Sequence, residues 1–433
     1  MRNSPFWWIL IGFMILLDLY VFQAVKVLTQ SAGSKTKLTI HICYWAISGL
    51  ALTILIVLPY LQFGTQHRLL RNTFFAIIVG LFFSKIIASI FFLIDDLRRG
   101  IQWVAGKLFF SGTEGETMEQ GVKISRSIFL SWAGMLVGGG LFSSLIYGFN
   151  NKYRYQVHRF RMSFDNLPLS FKGLKIVQIS DIHSGSFTDK HAVMRGVDKI
   201  LKEKPDLILF TGDLINNLAE EMDGYMDVFN QIKAPMGVFS ILGNHDYGDY
   251  VSWPDRNEEH KRKEEEAGKH LLTPMQQANL DRLKNIHAEL GWKLLLDEHT
   301  VLEKGEDKIA LIGVQNWSSK ARFPKYGDLK KAYTGSENYP FKILMSHDPS
   351  HWEAQVRPLY TDIDLMLAGH THGMQFGVDV PGFRWSPVQY IYKEWAGLYE
   401  EGKQKLYVNR GYGFIGYPGR VGILPEITVI ELV

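Results

Sequence analysis

KIVQISDIH, at residues 175–183, is a short apolar run followed at once by Asp181 and His183, two side chains able to bind a metal. The same arrangement recurs four times further along the chain. The apolar runs are KIVQI at 175–179, LILF at 207–210, VFSIL at 238–242, ILM at 343–345 and LML at 365–367, and the clusters after them are DIH at 181–183, GD at 212–213, GNHD at 243–246, SHD at 346–348 and GHTH at 369–372. Helix-length segments separate the runs, so we predict an α/β fold of βαβ units with both sheet faces covered.

The five clusters are expected to meet in space. Parallel strands point their carboxyl ends the same way, and open α/β sheets bind ligands at that edge. Any single cluster has a simpler explanation, since Gly-Asn-His-Asp, for example, is rich in turn residues. Five clusters in order, each at a strand end, are not explained by turns. Their carboxylate, amide and imidazole groups suit two divalent first-row metals held side by side.

The clusters resemble the pattern D-x-H, G-D-x-x-D, G-N-H-D/E, H and G-H-x-H of the calcineurin-like metallophosphoesterases, over roughly residues 170–433. The closing segments 406–411 and 425–428 are similar to the branch with membrane-attached or exported phosphohydrolases. The resemblance implies a sandwich of two mixed sheets flanked by helices. It also implies two divalent metal ions, with manganese, iron or zinc as the expected metals.

The resemblance, carried over position by position, implies two sets of metal ligands that share one carboxylate. The sets are Asp181, His183, Asp213 and His372 for one metal, and Asp213, Asn244, His347 and His370 for the other. His245 would lie beside the metals as proton donor to the leaving group or as a stabiliser of the oxyanion. Paired metals of this kind polarise a phosphoryl group and provide hydroxide near neutral pH.

One position departs from the family pattern. The second cluster reads GDLIN at residues 212–216, where many members have aspartate in place of Asn216. In those members the aspartate orients the catalytic histidine. Asn216 can accept a hydrogen bond from His245 through its carbonyl but adds no charge, and Asp246 is an alternative partner. We therefore include Asn216 with His245 among the expected catalytic residues.

Residues 1–149 differ sharply in composition from the rest. Four apolar stretches occupy roughly residues 6–25, 39–62, 72–94 and 127–148. Each is near or above the length of about 20 residues that a helix needs to cross a bilayer. The first lacks the basic start and small-residue cleavage site of a removable signal peptide. We predict a four-span transmembrane region at residues 1–149 and a metallophosphoesterase domain at 150–433.

The spans leave orientation open and raise one further expectation. Basic residues are nearly balanced between the two sides, so the positive-inside rule does not decide, and the lack of an export signal favours a cytoplasmic catalytic domain.

Asp18 and Lys85 fall at matching depths in spans one and three, which favours a mutual ion pair. The alternative is a protonated Asp18 with Lys85 extended to the interface.

Several shorter segments carry weaker signals. Charge-dense residues 254–272 predict an exposed, partly helical insertion that could be a lid or solvated decoration, and a helix pattern follows at 273–290. Residues 152–161 alternate like an edge strand, and residues 101–110 are short enough to lie in the membrane interface. Trp317 and residues 320–331 form a rim loop that could meet substrate phosphate or lipid.

The chain as a whole is expected to be a membrane-bound phosphoesterase that cleaves a phosphoester or pyrophosphate bond by metal-activated water. A net charge of +3 gives no sign of a nucleic-acid partner, and a single cysteine, Cys43, excludes an intrachain disulfide. The expected substrate is a phosphorylated small molecule or lipid, such as UDP-diacylglucosamine by family analogy. The alternatives are a metal-binding regulatory or sensor protein without turnover, and a transporter with an appended hydrolase, against which the few polar residues in the spans argue.

Overall fold

Four apolar helices form the first of two units into which the chain divides, Met1–Tyr147 and Gly148–Val433. They are α1 Pro5–Leu28, α2 Ser34–Val57, α3 Arg68–Phe109 and α4 Arg126–Gly148. Each contains a segment that is long and apolar enough to cross a membrane. The computed structural model describes residues 5–57, 68–109, 126–267 and 270–433.

As far as the structure describes them, the predicted spans fall within these helices, with one difference. Helix α3 runs for 42 residues and takes in residues 101–109, which the sequence suggested as a separate interfacial segment. The polar residues after the apolar part support the longer helix, because Arg98 and Arg99 lie 2.9 Å and 3.2 Å from the Asp95 carboxylate, three and four residues earlier. Residues 58–62 of the second predicted span, and residue 110, lie outside the described residues.

A polar cluster is buried among the apolar side chains of α1, α2 and α3. The Lys85 ammonium donates to the Asp18 carboxylate and, at 2.8 Å, to Ser48 Oγ. Ser48 Oγ in turn donates to Asp18 Oδ1 at 3.0 Å, and the Tyr44 hydroxyl donates to the Asp18 backbone carbonyl at 2.7 Å. The ion pair predicted from the matching depths of Asp18 and Lys85 is confirmed.

The second unit consists of strands and the helices packed on them. The strands are β1 Gln156–Met162, β2 Lys175–Ile179, β3 Leu207–Phe210, β4 Val238–Ser240, β5 Lys293–Leu294, β6 Glu298–Lys304, β7 Asp307–Gly313, β8 Lys342–Met345, β9 Leu365–Ala368, β10 Val378–Val380, β11 Phe383–Trp385, β12 Gly397–Glu401, β13 Gln404–Val408 and β14 Glu426–Leu432. The helices are α5 Lys190–Lys202, α6 Met226–Phe229, α7 Glu258–Ala267, α8 Pro274–Glu289, α9 Leu329–Tyr333 and α10 Arg357–Leu359.

Two six-stranded mixed sheets stack face to face. The first has the order β1-β14-β2-β3-β4-β5, with only the β14–β2 pair antiparallel, and the second has the order β12-β13-β9-β8-β7-β6, with antiparallel pairs at its two ends. The middle strands β2, β3, β4, β8 and β9 are therefore parallel to their neighbours within each sheet, apart from the β14–β2 pair. The α/β class and the sandwich of two mixed sheets are confirmed.

The strands are apolar on both faces because each face is covered. In β3, Leu207 and Leu209 join the core between the sheets, whereas Ile208 and Phe210 join a second core beneath α5 and α8. Strands β8 and β9 alternate in the same way, with their outer residues packed against α9 and the helical turn Trp352–Val356. Three layers of core side chains thus hold the strand ends in fixed positions.

The shorter predicted elements are found at slightly shifted positions. The predicted edge strand at 152–161 is β1, which begins at Gln156 and does lie at a sheet edge. The predicted helix at 273–290 is α8, and its N-terminus is capped by the Thr273 side chain, which accepts a hydrogen bond from the Gln276 amide. Residues 254–272 contain α7, and residues 268 and 269 lie outside the described residues.

Candidate metal centre

The five clusters lie at the carboxyl ends of strands from both sheets. β2, β3 and β4 of the first sheet precede three of them, and β8 and β9 of the second sheet precede the other two. Hydrogen bonds join the sheets at this edge: for example, Gln178 Nε2 donates to the Ala368 carbonyl at 2.8 Å, and the His370 amide donates to the Asp181 carboxylate at 3.0 Å. The structure thus brings all the expected metal ligands together.

Asp181, His183 and His372 form the first group of candidate ligands, and all three are buried. His372 Nε2 lies 3.2 Å from Asp181 Oδ1 and 3.0 Å from His183 Nε2. Two imidazole nitrogens with free lone pairs repel each other at this distance unless a proton or a cation lies between them. The arrangement is satisfied either by an N–H···N hydrogen bond between neutral rings or by a cation held between the two nitrogens.

Asp213, His347 and His370 form the second group, which Asn244 completes. His347 Nε2 lies 3.1 Å from Asp213 Oδ2 and 3.3 Å from His370 Nδ1. The Asn244 Oδ1 atom is 2.7 Å from the same His370 nitrogen. Asn244 supplies a neutral oxygen, which limits the negative charge that the site presents to an anionic substrate.

Asp213 lies between the two groups. Its Oδ2 atom is 3.1 Å from His347 Nε2 and 3.6 Å from His183 Nε2. An ion with ligand bonds of about 2.1 Å separates its ligand atoms by roughly 3.0–3.4 Å. The distances within both groups are close to this range, and the mixed oxygen and nitrogen donors suit divalent first-row metals. The residues present fit two adjacent ions that share the Asp213 carboxylate.

Burial and charge bring most of these ligands into the protonation state that a metal requires. Burial lowers the pKa of the His370 imidazole to about 4 and holds that of His183 well below its ordinary value, so both rings are neutral. Burial opposes the ionisation of Asp213, but the imidazoles around it, His347 foremost, hold its pKa well below the usual range. Burial also disfavours the imidazolium of His347, yet Asp213 raises its pKa to about 10, so metal binding would release that proton.

The backbone at the ligands is strained. Among the described residues, nine non-glycine residues have positive φ, and five of these are candidate metal ligands. They are Asp181 (53°), His183 (50°), Asp213 (61°), His370 (73°) and His372 (50°). Side chains other than glycine rarely adopt this left-handed conformation, and where they do the cost is usually tied to a functional site. These five residues all lie shortly after the ends of strands β2, β3 and β9.

Two glycines allow the ligand loops to approach each other closely. A Cβ atom at Gly243 would overlap the Asp213 carboxylate, and one at Gly369 would overlap Ser180 Oγ and the Asp181 carboxylate. The glycines that recur in the clusters thus have a physical role at these positions, since any larger residue would push one loop away from the next.

His245 lies beside the first group and is held at two points. Its backbone amide donates to Asp213 Oδ1 at 2.8 Å, and its Nδ1–H donates to the backbone carbonyl of Asn216 at 2.8 Å. Its ring is 5.0 Å from the His183 ring and 4.4 Å from the Tyr250 ring, centroid to centroid. Because Nδ1 is committed to the carbonyl, Nε2 is the atom free to exchange a proton.

The contact between Asn216 and His245 is made by the backbone, not by the side chain that the family comparison emphasised. The Asn216 amide group instead donates to Ser186 Oγ at 2.9 Å. The identity of the side chain at this position therefore matters less to His245 than the path of the loop. This explains how asparagine can stand where many members have aspartate.

Asp246 has a different role from the one considered for it. Its buried carboxylate accepts hydrogen bonds from the backbone amides of Gly243 at 2.8 Å, Asp213 at 2.9 Å and Leu214 at 2.9 Å, and the structure gives it no contact with the His245 ring. Burial, reinforced by the nearby Asp213 carboxylate, raises its pKa to about 7. Asp246 ties the second and third clusters together.

Two tyrosines that the sequence analysis missed orient metal ligands. The Tyr250 hydroxyl accepts a hydrogen bond from Asn244 Nδ2 at 2.8 Å, which leaves Oδ1 facing the second group. The Tyr392 hydroxyl donates to Asp348 at 3.2 Å and lies 2.9 Å from His370 Nε2, which leaves His370 Nδ1 facing the second group. Such outer contacts fix the tautomer of a ligand histidine. Neither tyrosine belongs to a cluster, so motif spacing could not reveal them.

Comparisons with known proteins agree with the geometry. Residues 1–152 match a family model described as a probable calcineurin-like phosphoesterase transmembrane domain, and residues 174–374 match the calcineurin-like phosphoesterase model. The two matches cover the helical unit and most of the sandwich. Together with the four apolar helices, they identify a membrane protein.

Three curated relatives illustrate the similarity. A transmembrane protein with metallophosphoesterase domain from Danio rerio is 30% identical over 62% of this chain and 55% of its own length. The metallophosphoesterase YkuE of Bacillus subtilis is 28% identical over 72% of this chain and 98% of its own. The UDP-2,3-diacylglucosamine pyrophosphatase LpxG of Chlamydia muridarum is 28% identical over 57% of this chain and 81% of its own. The chain thus spans only about half the length of the Danio rerio relative.

The site geometry and both family matches lead to one conclusion. The ordered clusters, the two adjacent groups of candidate metal ligands and the mixed-sheet sandwich are features of one family. The helical unit matches a transmembrane domain described for the same family. The chain belongs to the calcineurin-like phosphoesterases.

Proposed function

We propose that the chain is a dinuclear-metal phosphohydrolase that cleaves a phosphoester or pyrophosphate bond at a membrane. The observation that carries this proposal is the pair of buried ligand groups on either side of Asp213. We assign one divalent ion to Asp181, His183, Asp213 and His372, and the other to Asp213, Asn244, His347 and His370. Manganese, iron and zinc are the metals proposed.

His245 is proposed as the proton donor. Bound ions of this kind polarise a phosphoryl group and supply hydroxide. In hydrolysis the water oxygen bonds to phosphorus, the bond from phosphorus to the leaving oxygen breaks, and the leaving oxygen takes up a proton. His245 Nε2 can deliver that proton when the ring is protonated, because Nδ1–H remains held by the Asn216 carbonyl. The same Nε2–H could also stabilise the charge on the oxyanion.

The proposed substrate is a phosphorylated lipid or small molecule, and a nucleotide-linked lipid is the specific candidate. Two facts support it: the chain joins a phosphoesterase domain to four membrane-crossing helices, and one relative is named a UDP-2,3-diacylglucosamine pyrophosphatase. Lipid and nucleotide extraction from a strain that lacks the protein should show accumulation of the substrate. Unchanged levels of all phosphorylated lipids and nucleotides would argue against a lipid-linked substrate.

Turnover itself can be tested with the purified full-length protein. We expect hydrolysis of bis(p-nitrophenyl) phosphate with added manganese, and its loss after chelation with recovery on re-addition of metal. Two metal ions bound without hydrolysis of this or any other phosphoester would instead identify a metal-binding regulatory or sensor protein.

The catalytic unit is proposed to face the cytoplasm. Four spans would put the start of α1 and the catalytic unit on the same side of the membrane, and the cytoplasmic side is the one that the sequence analysis favoured. A green fluorescent protein fused after Val433 should fluoresce in bacterial cells, whereas alkaline phosphatase fused there should remain inactive. The opposite pair of results would place the unit outside.

A further inference from the structure

Residues 317–326, the first part of the rim loop, are held in place by contacts of their own. Trp317 is buried at its start, and the Tyr326 amide at its end donates to the Asn316 carbonyl at 2.9 Å. The Tyr326 ring stacks on the Tyr247 ring at a centroid distance of 3.6 Å, two residues after His245. The loop is therefore anchored to the segment that carries the candidate proton donor.

Within this loop, two cations lie next to side chains that contact a metal ligand. The Phe323 ring packs edge-on against the His370 ring at 4.9 Å, and the Arg322 guanidinium carbon lies 4.5 Å from the centre of the same Phe323 ring. Lys320 Nζ lies 5.3 Å from the centre of the Tyr392 ring, whose hydroxyl is 2.9 Å from His370. A single aromatic side chain thus lies between each cation and the His370 ring.

Among the described residues, neither cation forms an ion pair with a carboxylate. Some other exposed arginines of this unit do form ion pairs, such as Arg159 with Glu203 at 2.5 Å and Arg282 with Asp223 at 2.5 Å. Within the part of the chain that the structure describes, Arg322 and Lys320 have no such partner. An unpaired guanidinium beside a site for an anionic substrate is available to bind an anionic group of that substrate.

We propose that Arg322, assisted by Lys320, binds the second phosphoryl group of a diphosphate substrate, next to the phosphoryl group that is hydrolysed. This inference rests on the proposed phosphohydrolase function. The two ligand groups would hold the attacked phosphoryl group. Arg322 and Lys320 lie next to rings that contact His370 of the second group, so they are placed to meet the neighbouring phosphoryl group. A guanidinium suits that position because it can donate two parallel hydrogen bonds to a phosphate.

The test compares two substrates in the manganese-loaded full-length protein. UDP-N-acetylglucosamine carries two linked phosphoryl groups, and bis(p-nitrophenyl) phosphate carries one. Arg322→Ala should lower kcat/KM for the first by about 10- to 100-fold, the scale for losing hydrogen bonds to a charged group, while changing the second by less than about 3-fold. Arg322→Lys should recover part of the loss. Arg195→Ala, which removes an exposed arginine from α5, is the matched control and should change neither.

Inhibitor binding gives a second measure that does not depend on turnover. Methylenediphosphonate should bind the loaded wild-type protein more tightly than inorganic phosphate does, and Arg322→Ala should weaken only the diphosphonate. Equal losses for both substrates, no loss for either, or equal binding of the two inhibitors would overturn the inference. So would an effect of Arg322→Ala that appears only in vesicles containing anionic lipid. Absence of wild-type hydrolysis of both substrates would instead overturn the proposed function.

Discussion

The helical unit and the sandwich both bury charged side chains, but they satisfy them in different ways. In the helical unit, the Asp18 carboxylate is matched by the Lys85 ammonium, and Ser48 donates to it as well. At the metal centre, the Asp181 and Asp213 carboxylates face imidazole nitrogens, and among the described residues no lysine or arginine pairs with either of them. A buried carboxylate matched by a lysine is structurally complete without a ligand, whereas carboxylates matched by a protonated imidazole can exchange that proton for a metal cation.

The largest effect that this comparison predicts is that of removing the shared carboxylate. Asp213→Ala should lose both tightly bound ions and reduce turnover to background, because one side chain serves both groups. Metal analysis of the purified variant and its hydrolysis of bis(p-nitrophenyl) phosphate measure this. Asp281→Ala, on the exposed face of α8, is the control and should retain both ions. Two tightly held ions in Asp213→Ala would contradict the assignment.

The second prediction distinguishes the role of His245 as proton donor from the role of a metal ligand. His245→Ala should keep both metal ions yet lower turnover of a substrate with a poor leaving group by about 10²- to 10⁴-fold, the usual scale for a general acid. A substrate with a good leaving group, such as p-nitrophenolate, should be affected less, since it needs no proton. An equal loss for both leaving groups would show that His245 does not deliver the proton.

The third prediction concerns the buried cluster around Asp18 and Lys85. Replacing both charged residues together should restore folding there, whereas a double substitution at the metal centre should not. Asp18→Asn or Lys85→Met alone leaves a buried charge without its partner, a change that costs about 3–5 kcal/mol in comparable pairs. The double variant should recover much of the lost folded yield in detergent, because no buried charge remains. If the double variant is as poor as the sum of the two single ones, the residues act independently.

The smallest effect is expected at Asn216. Its contact with His245 comes from the backbone, so Asn216→Ala should lower turnover by less than about tenfold, and Asn216→Asp should leave the pH–rate profile unchanged. An activity limb that extends to higher pH in Asn216→Asp would mean that the new carboxylate turns from Ser186 towards the imidazole and stabilises its protonated form.

The features of the fold and of the site that depend on short stretches of sequence could be predicted. Apolar runs followed by clusters indicated the strand ends, because strands buried on both faces need continuous apolar sequence. Apolar length likewise predicted the four membrane helices. The extension of α3 past its apolar part was missed, since charged residues usually mark the end of a span, and here Asp95 and Arg98 pair along the helix instead.

Contacts between distant segments could not be predicted in this way. Tyr392 reaches His370 from a loop that follows β11, and Asp246 binds backbone amides more than thirty residues earlier in the chain. Almost any residue can donate a hydrogen bond from its backbone amide, so the sequence does not show which amides bind Asp246. The same applies to Asn216, where the carbonyl common to all residues holds the imidazole.

Helix α3 is too long for a bilayer. At about 1.5 Å per residue its 42 residues extend for roughly 63 Å, about twice the thickness of a typical hydrocarbon core. Its apolar part ends where Asp95 and Asp96 meet Arg98 and Arg99. The residues beyond this point continue as helix for roughly 20 Å. Helix α3 therefore supplies more regular helix than one crossing of a bilayer requires, and its last turns extend the helical unit beyond the length of a single span.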